Sequence, residues 1–95
     1  MQELEIKAKT ADIFREHGVT RAALFGSVAR GEAKPESDVD ILIEPKLGMG
    51  LFGYMRLVRA LEEALGRKVD VVTEKSLNKF IKPFIQADLQ TIYEG

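Results

Sequence analysis

Gly26, Ser27, Val28, Ala29, Arg30, Gly31, Glu32, Ala33, Lys34, Pro35, Glu36, Ser37, Asp38, Val39 and Asp40 separate two apolar runs, residues 22–25 and residues 41–43. The first run stops abruptly at a glycine and a serine, and two aspartates open the second. Side chains alternate faces along an extended chain, so Asp38 and Asp40 project together while Val39, Ile41 and Ile43 pack on the other side. Two carboxylates about 4 Å apart repel by roughly 4 kcal/mol at an effective dielectric near 20, and a cation or a shared proton relieves them. Mg²⁺ is the natural cation, a hard ion that takes carboxylate and phosphate oxygens. Gly26 leaves room for a close backbone approach, and the Ser27 hydroxyl and amide, at the mouth of a short helix, can receive phosphate. Metal ligands on one side and phosphate on the other suggest a nucleoside triphosphate.

Ninety-five residues predict one domain, residues 1–95, with no second domain to shape an acceptor pocket. The composition is 45% hydrophobic and 31% charged, and the formal net charge of −1 gives no global attraction for nucleic acid or an anionic membrane. The absence of cysteine excludes disulfides and thiolate metal sites, and with His17 as the lone histidine the ligand set argues against Zn²⁺. The N-terminal segment is charged, and no stretch approaches the roughly 20 apolar residues of a membrane span, so a cytoplasmic protein is expected.

Residues 3–16 lack glycine and proline and place Leu4, Ala8, Ala11 and Phe14 near helical spacing, with Ile13 beside them. Gly18 ends this helix, residues 21–25 read as a short buried strand, and residues 28–31 allow one helical turn. Pro35 and its polar neighbours lead to a second strand, residues 39–44, which stops at Pro45 before a loop containing Gly48, Met49 and Gly50. Residues 51–65 form the strongest helix, with Leu51, Tyr54, Met55, Val58, Leu61 and Leu65 as one apolar stripe and Gly66 as its stop. A third strand spans residues 68–73 with Asp70 on the face opposite Val69 and Val71. Ser76 caps a turn, and Pro83 starts a final helix from which Phe84, Ile85, Leu89 and Ile92 pack inward.

A shared site constrains how these pieces assemble. Ser27 ends the first strand whereas Asp38 and Asp40 begin the second, so those neighbours should be antiparallel. Asp70 joins them only if the second and third strands are parallel, and the intervening helix suits such a crossover. The expected fold class is α+β, a two-layer arrangement in which a small mixed sheet of three to four strands packs against helices.

The pattern Gly26, Ser27, ten residues, Asp38, Val39, Asp40 resembles that of the minimal nucleotidyltransferases, compact members of the DNA polymerase beta-like superfamily. Asp70, within Val69, Asp70, Val71 and Val72, resembles the superfamily's third carboxylate, and the likeness runs over nearly the whole chain. It implies the nucleotidyltransferase fold and an ATP-binding transferase with two Mg²⁺ ions held by Asp38, Asp40 and Asp70. In that comparison Gly26, Ser27 and the nearby backbone meet the triphosphate, and Asp70 favours deprotonation of an acceptor hydroxyl. Two ions about 3.5–4 Å apart would steady the attacking and leaving oxygens of an in-line displacement, leaving the protein to position the reactants. Many family members of this size are antitoxins encoded beside an all-helical toxin of the HEPN class, and some transfer AMP from ATP to a toxin tyrosine. The resemblance therefore implies a toxin–antitoxin pair, with self-association into a homo-oligomer open beside it.

Two rival functions use the same residues. A binding module could mask its partner without catalysis, or the nucleotidyl group could pass to a small molecule, although relatives of that kind add a helical domain. Arg30 is a candidate phosphate neutraliser, Lys34 a weaker one on its polar connection, and His17 suits a helix C-terminus better than a base. Tyr54, Phe52 and Met55 could wall a nucleobase, but their helical spacing favours the core, as it does for Phe80, Phe84 and Tyr93.

Overall fold

The two apolar runs that flank the 26–40 stretch become adjacent strands in the computed structural model, which describes residues 2–34, 36–45 and 49–95. Pro35 and Gly48, expected in the connections on either side of the second strand, lie outside the described residues. In chain order the elements are α1 (Glu3–Glu16), β1 (Val19–Phe25), α2 (Gly26–Ala29), β2 (Val39–Pro45), α3 (Leu51–Leu65), β3 (Val69–Thr73), a 3₁₀ turn (Glu74–Ser76), α4 (Lys82–Asp88) and β4 (Gln90–Glu94). The sheet order is β3-β2-β1-β4. β2 lies antiparallel to β1 and parallel to β3, the arrangement a shared site requires, and β4 lies antiparallel to the free side of β1.

Alternation along the strands decides which face is dry. Ala22, Leu24, Ile41, Ile43, Val69 and Val71 are buried with Ile6 and Phe14 of α1 and Leu57, Leu61 and Leu65 of α3. Fully burying a side chain such as leucine contributes roughly 1.5–3 kcal/mol. Arg21, Ala23, Leu42 and Glu44 line the opposite face, where Leu77, Lys82, Gln86 and Leu89 enclose a cavity of about 170 Å³ with them. Thus α1 and α3 build the main layer, while α4 covers part of the second face.

Three sequence expectations shift. α1 buries Ile6, Thr10 and Phe14, and Leu4 is exposed. Thr10 tolerates full burial because its hydroxyl donates to the Ile6 carbonyl at 2.7 Å. α3 keeps its expected bounds, yet its deepest stripe is Leu57, Leu61 and Leu65, with Leu51 and Met55 left exposed. The final helix is shorter than its spacing suggested: it ends at Asp88, and Gln90–Glu94 pairs with β1 as a fourth strand. Ile92 is therefore buried from a strand, and Tyr93 packs on Phe14 with ring centroids 5.6 Å apart. Phe80 and Phe84 point outward, at 71% and 76% exposure. Ser76 does act as a cap, exchanging hydrogen bonds with Thr73 across the 3₁₀ turn.

These placements separate two substitutions by their cost. Ile92→Ala should lose about 2–5 kcal/mol in urea unfolding, the usual cost of a vacated core site, while Phe84→Ala should stay within about 0.5 kcal/mol of the parent. Equal costs would contradict the assignment of the C-terminal strand.

Candidate functional site

β1 is extended through Phe25, and the chain then turns sharply because Gly26 takes φ +74°. This left-handed conformation suits glycine. One short turn of helix, α2, follows and is closed by the amides of Arg30 and Glu32, which donate to the carbonyls of Gly26 at 3.1 Å and Ser27 at 2.8 Å. The Ser27 side chain is half-buried and makes no hydrogen bond among the described residues, so its hydroxyl remains available to a ligand.

The sheet register places the acids beside this turn. Phe25 pairs with Asp40 across β1 and β2, and Asp40 pairs with Asp70 across β2 and β3. Adjacent strands lie about 4.7–4.9 Å apart, so paired residues project from one face as neighbours. Asp40 is half-buried, whereas Asp38 and Asp70 are exposed. Burial pushes the Asp40 carboxyl above its ordinary range; the charges of Asp70 and then Asp38 push it further, and Arg30 opposes them. None of the three aspartates has a hydrogen-bond or ion-pair partner among the described residues. The repulsion anticipated for Asp38 and Asp40 is present, with Asp70 adding to it.

Gly26 meets this acid directly. A Cβ built there would overlap the Asp40 carboxylate oxygen and lie 3.2 Å from its Cγ. The close backbone approach read from the sequence is therefore an approach to Asp40, and it sets the Gly26–Ser27 turn against the acid.

The donor set fits a hard divalent ion, since it offers carboxylates and no sulfur or imidazole. Among the described residues no group of three or more His, Cys, Asp or Glu gathers closely enough to enclose a metal alone. An ion at Asp38, Asp40 and Asp70 would take its remaining donors from phosphate and water, which is how Mg²⁺ is commonly held.

Arg30 lies on the rim but is already engaged. Its guanidinium donates to Asp88 at 2.7 Å and to Glu32 at 3.3 Å, and these bonds, Asp88 first, hold its pKa above the ordinary value. The Gln90 amide donates to the Ala29 carbonyl at 2.8 Å, so the ends of α4 and β4 both close on α2. Sequence reasoning missed Asp88 and Gln90; the alternation Thr91, Ile92, Tyr93 was the signal for the strand that brings them there. The Lys34 backbone accepts from Ser37 and Arg67, at 3.0 and 3.3 Å. His17 caps α1 through Nδ1, which donates to the Ile13 carbonyl at 2.8 Å. Tyr54 is anchored by its hydroxyl to the Val71 carbonyl at 2.7 Å and packs against the core. Phe52 and Met55, read as core, instead join Arg56 and Arg59 around an open groove of about 470 Å³ along α3 that none of the three aspartates lines.

Comparison with known proteins agrees with the fold. The family model described as the nucleotidyltransferase domain matches residues 7–92. A protein of Methanocaldococcus jannaschii, provisionally named a protein adenylyltransferase, is 49% identical over 78 residues, covering 82% of this chain and 84% of the relative. A solved structure described as a minimal nucleotidyltransferase matches with a TM-score of 0.80 at 34% identity, over 95% of each chain. The tri-AMPylated Shewanella oneidensis HEPN toxin in complex with MNT antitoxin supplies a match with a TM-score of 0.73, over 100% of this chain and 74% of that one. At 21% identity that last likeness is one of fold.

Two measurements follow from the site. Gly31 shares φ +74° with Gly26 but has open space where a Cβ would sit. Gly31→Ala should therefore cost only the backbone term, about 1–2 kcal/mol, and Gly26→Ala should cost more in urea unfolding; equal costs would remove the contact with Asp40. The second concerns Asp40, whose carboxyl is raised in the folded state, so that ionisation opposes folding. Its favourable contribution is complete below the ordinary aspartate value of about 3.9 and is lost as pH rises through the raised folded value. In chelator, Asp40→Asn should raise the melting temperature at pH 7, and the gain should shrink as pH falls towards about 4. A gain that persists unchanged in acid would contradict this.

Proposed function

The chain belongs to the nucleotidyltransferase domain family, is an enzyme of that type, and from this premise we propose that it transfers AMP from ATP, with Mg²⁺, to a hydroxyl of a HEPN-class partner protein, a tyrosine, and so serves as its antitoxin. The observation that carries the reading is the register Phe25, Asp40, Asp70, which sets two carboxylates without a partner among the described residues beside the Gly26–Ser27 turn, with Asp38 two residues before Asp40. The activity belongs where ATP and such a partner occur, in the cytoplasm.

In this reading Asp38 and Asp40 hold the metal that accompanies the triphosphate, and Asp70 completes the set. Bound there, two Mg²⁺ ions would neutralise the phosphates and stabilise charge on the attacking and leaving oxygens. The Ser27 hydroxyl and the α2 backbone orient the triphosphate. Asp70 draws the proton from the acceptor hydroxyl, whose oxygen forms a bond to the α-phosphorus as the bond to pyrophosphate breaks. Arg30 can add positive charge on the rim while Asp88 fixes its orientation. The protein contributes position and a preset electrostatic field, and these supply most of the catalysis in phosphoryl-type transfers.

The exposed Phe80, Ile81 and Phe84 favour a second role, docking that masks the partner alongside catalysis. One experiment separates the two. The chain, a HEPN-class partner, Mg²⁺ and ATP labelled in the α-phosphate should give a labelled partner, and Asp38→Asn with Asp40→Asn should reduce labelling at least about a hundredfold. No label with the unaltered chain would contradict AMP transfer. Neutralisation of the partner that survives the double substitution would assign the antitoxin effect to masking.

A further inference from the structure

We propose that Glu62, on the last turn of α3, is a positioning residue for Asp70, a proposal that rests on Asp70 belonging to the metal site. β3 is an edge strand, and Asp70 is its second residue, so the placement of its carboxylate depends on how the strand starts. The Lys68 carbonyl faces β2, where it accepts from the Val39 amide at 3.0 Å. The amide of the next residue, Val69, therefore faces away from β2, to the side where no strand follows among the described residues. The Glu62 carboxylate accepts that amide at 3.0 Å.

Glu62 holds the turn twice. Its carbonyl accepts the Gly66 amide at 2.8 Å and closes α3, while its side chain folds over the same turn to anchor Val69. Glu62 has no ion-pair partner among the described residues, which leaves its charge to this amide. An ionised acceptor makes the stronger kind of hydrogen bond. From the far side of the turn, the Arg67 guanidinium donates to the Lys34 carbonyl at 3.3 Å, tying the start of β3 to the segment that leads into Asp38. One short turn thus registers both acid-bearing strands, with Glu62 as its anchor. Partners of this kind commonly change metal affinity by about 10–100-fold when removed.

The test uses the full chain with ATP and Mn²⁺ as the probe ion, read by electron paramagnetic resonance, with amide hydrogen exchange at Val69 beside it. Glu62→Ala should weaken Mn²⁺ binding about tenfold and release the Val69 amide, whereas Glu62→Gln keeps an acceptor and should rescue both. In an Asp70→Asn background Glu62→Ala should have almost no further effect, because the residue acts through Asp70. Equal weakening in both backgrounds, or no weakening where Asp70→Asn itself weakens binding, would overturn the role of Glu62 alone. Full Mn²⁺ affinity in Asp70→Asn would overturn the assignment of Asp70, and the role of Glu62 with it.

Discussion

Repulsion among Asp38, Asp40 and Asp70 is the constraint around which the fold is arranged. A free chain would let Asp40 and Asp70 separate, whereas the sheet register brings them side by side, with Asp38 two residues before Asp40. The opposing force is the apolar face behind them, where Val39, Ile41, Val69 and Val71 are buried under α1 and α3. Hydrophobic burial thus sustains an unfavourable charge pattern that a cation relieves. The Asp40 carboxyl is raised by its own burial first, and by the charges of Asp70 and Asp38 after it.

The surrounding structure limits how the cluster can relax. At Gly26 the backbone leaves no room for a side chain beside Asp40, so the Gly26–Ser27 turn and the acid sit against each other. α2 is braced from the distant end of the chain by Arg30 with Asp88 and by Gln90 with the Ala29 carbonyl. Both connections join elements that do not share a strand ladder. A site preset in this way avoids the reorganisation that a flexible loop would require, which is where electrostatic catalysis gains most.

Much of this was legible in the residues because local chemistry and spacing carried it. Glycines bracket α3 at positions 50 and 66, and the offset between Ser27 and the two aspartates already demanded an antiparallel turn back into β2. Asp70 required a parallel third strand, and the register supplies one. What stayed hidden depended on distant partners. Arg30 finds Asp88 across 58 positions, and no periodicity signals such a pairing. Thr10 was no part of the expected apolar stripe, and its burial rests on its bond to the Ile6 carbonyl. Ile92 continued a helical spacing begun at Phe84, Ile85 and Leu89, with neither glycine nor proline to mark the break after Asp88. The vacancy beside β1 decided that segment, since an added strand supplies the partners its edge lacks.

The claim that this acidic cluster is a metal-dependent nucleotide site is tested most directly by ATP calorimetry, with and without Mg²⁺, on the unaltered chain and on Asp38→Asn with Asp40→Asn. The account predicts binding that appears with Mg²⁺ and is lost in the double variant. Binding indifferent to Mg²⁺, or undiminished when both carboxylates are neutralised, would contradict it.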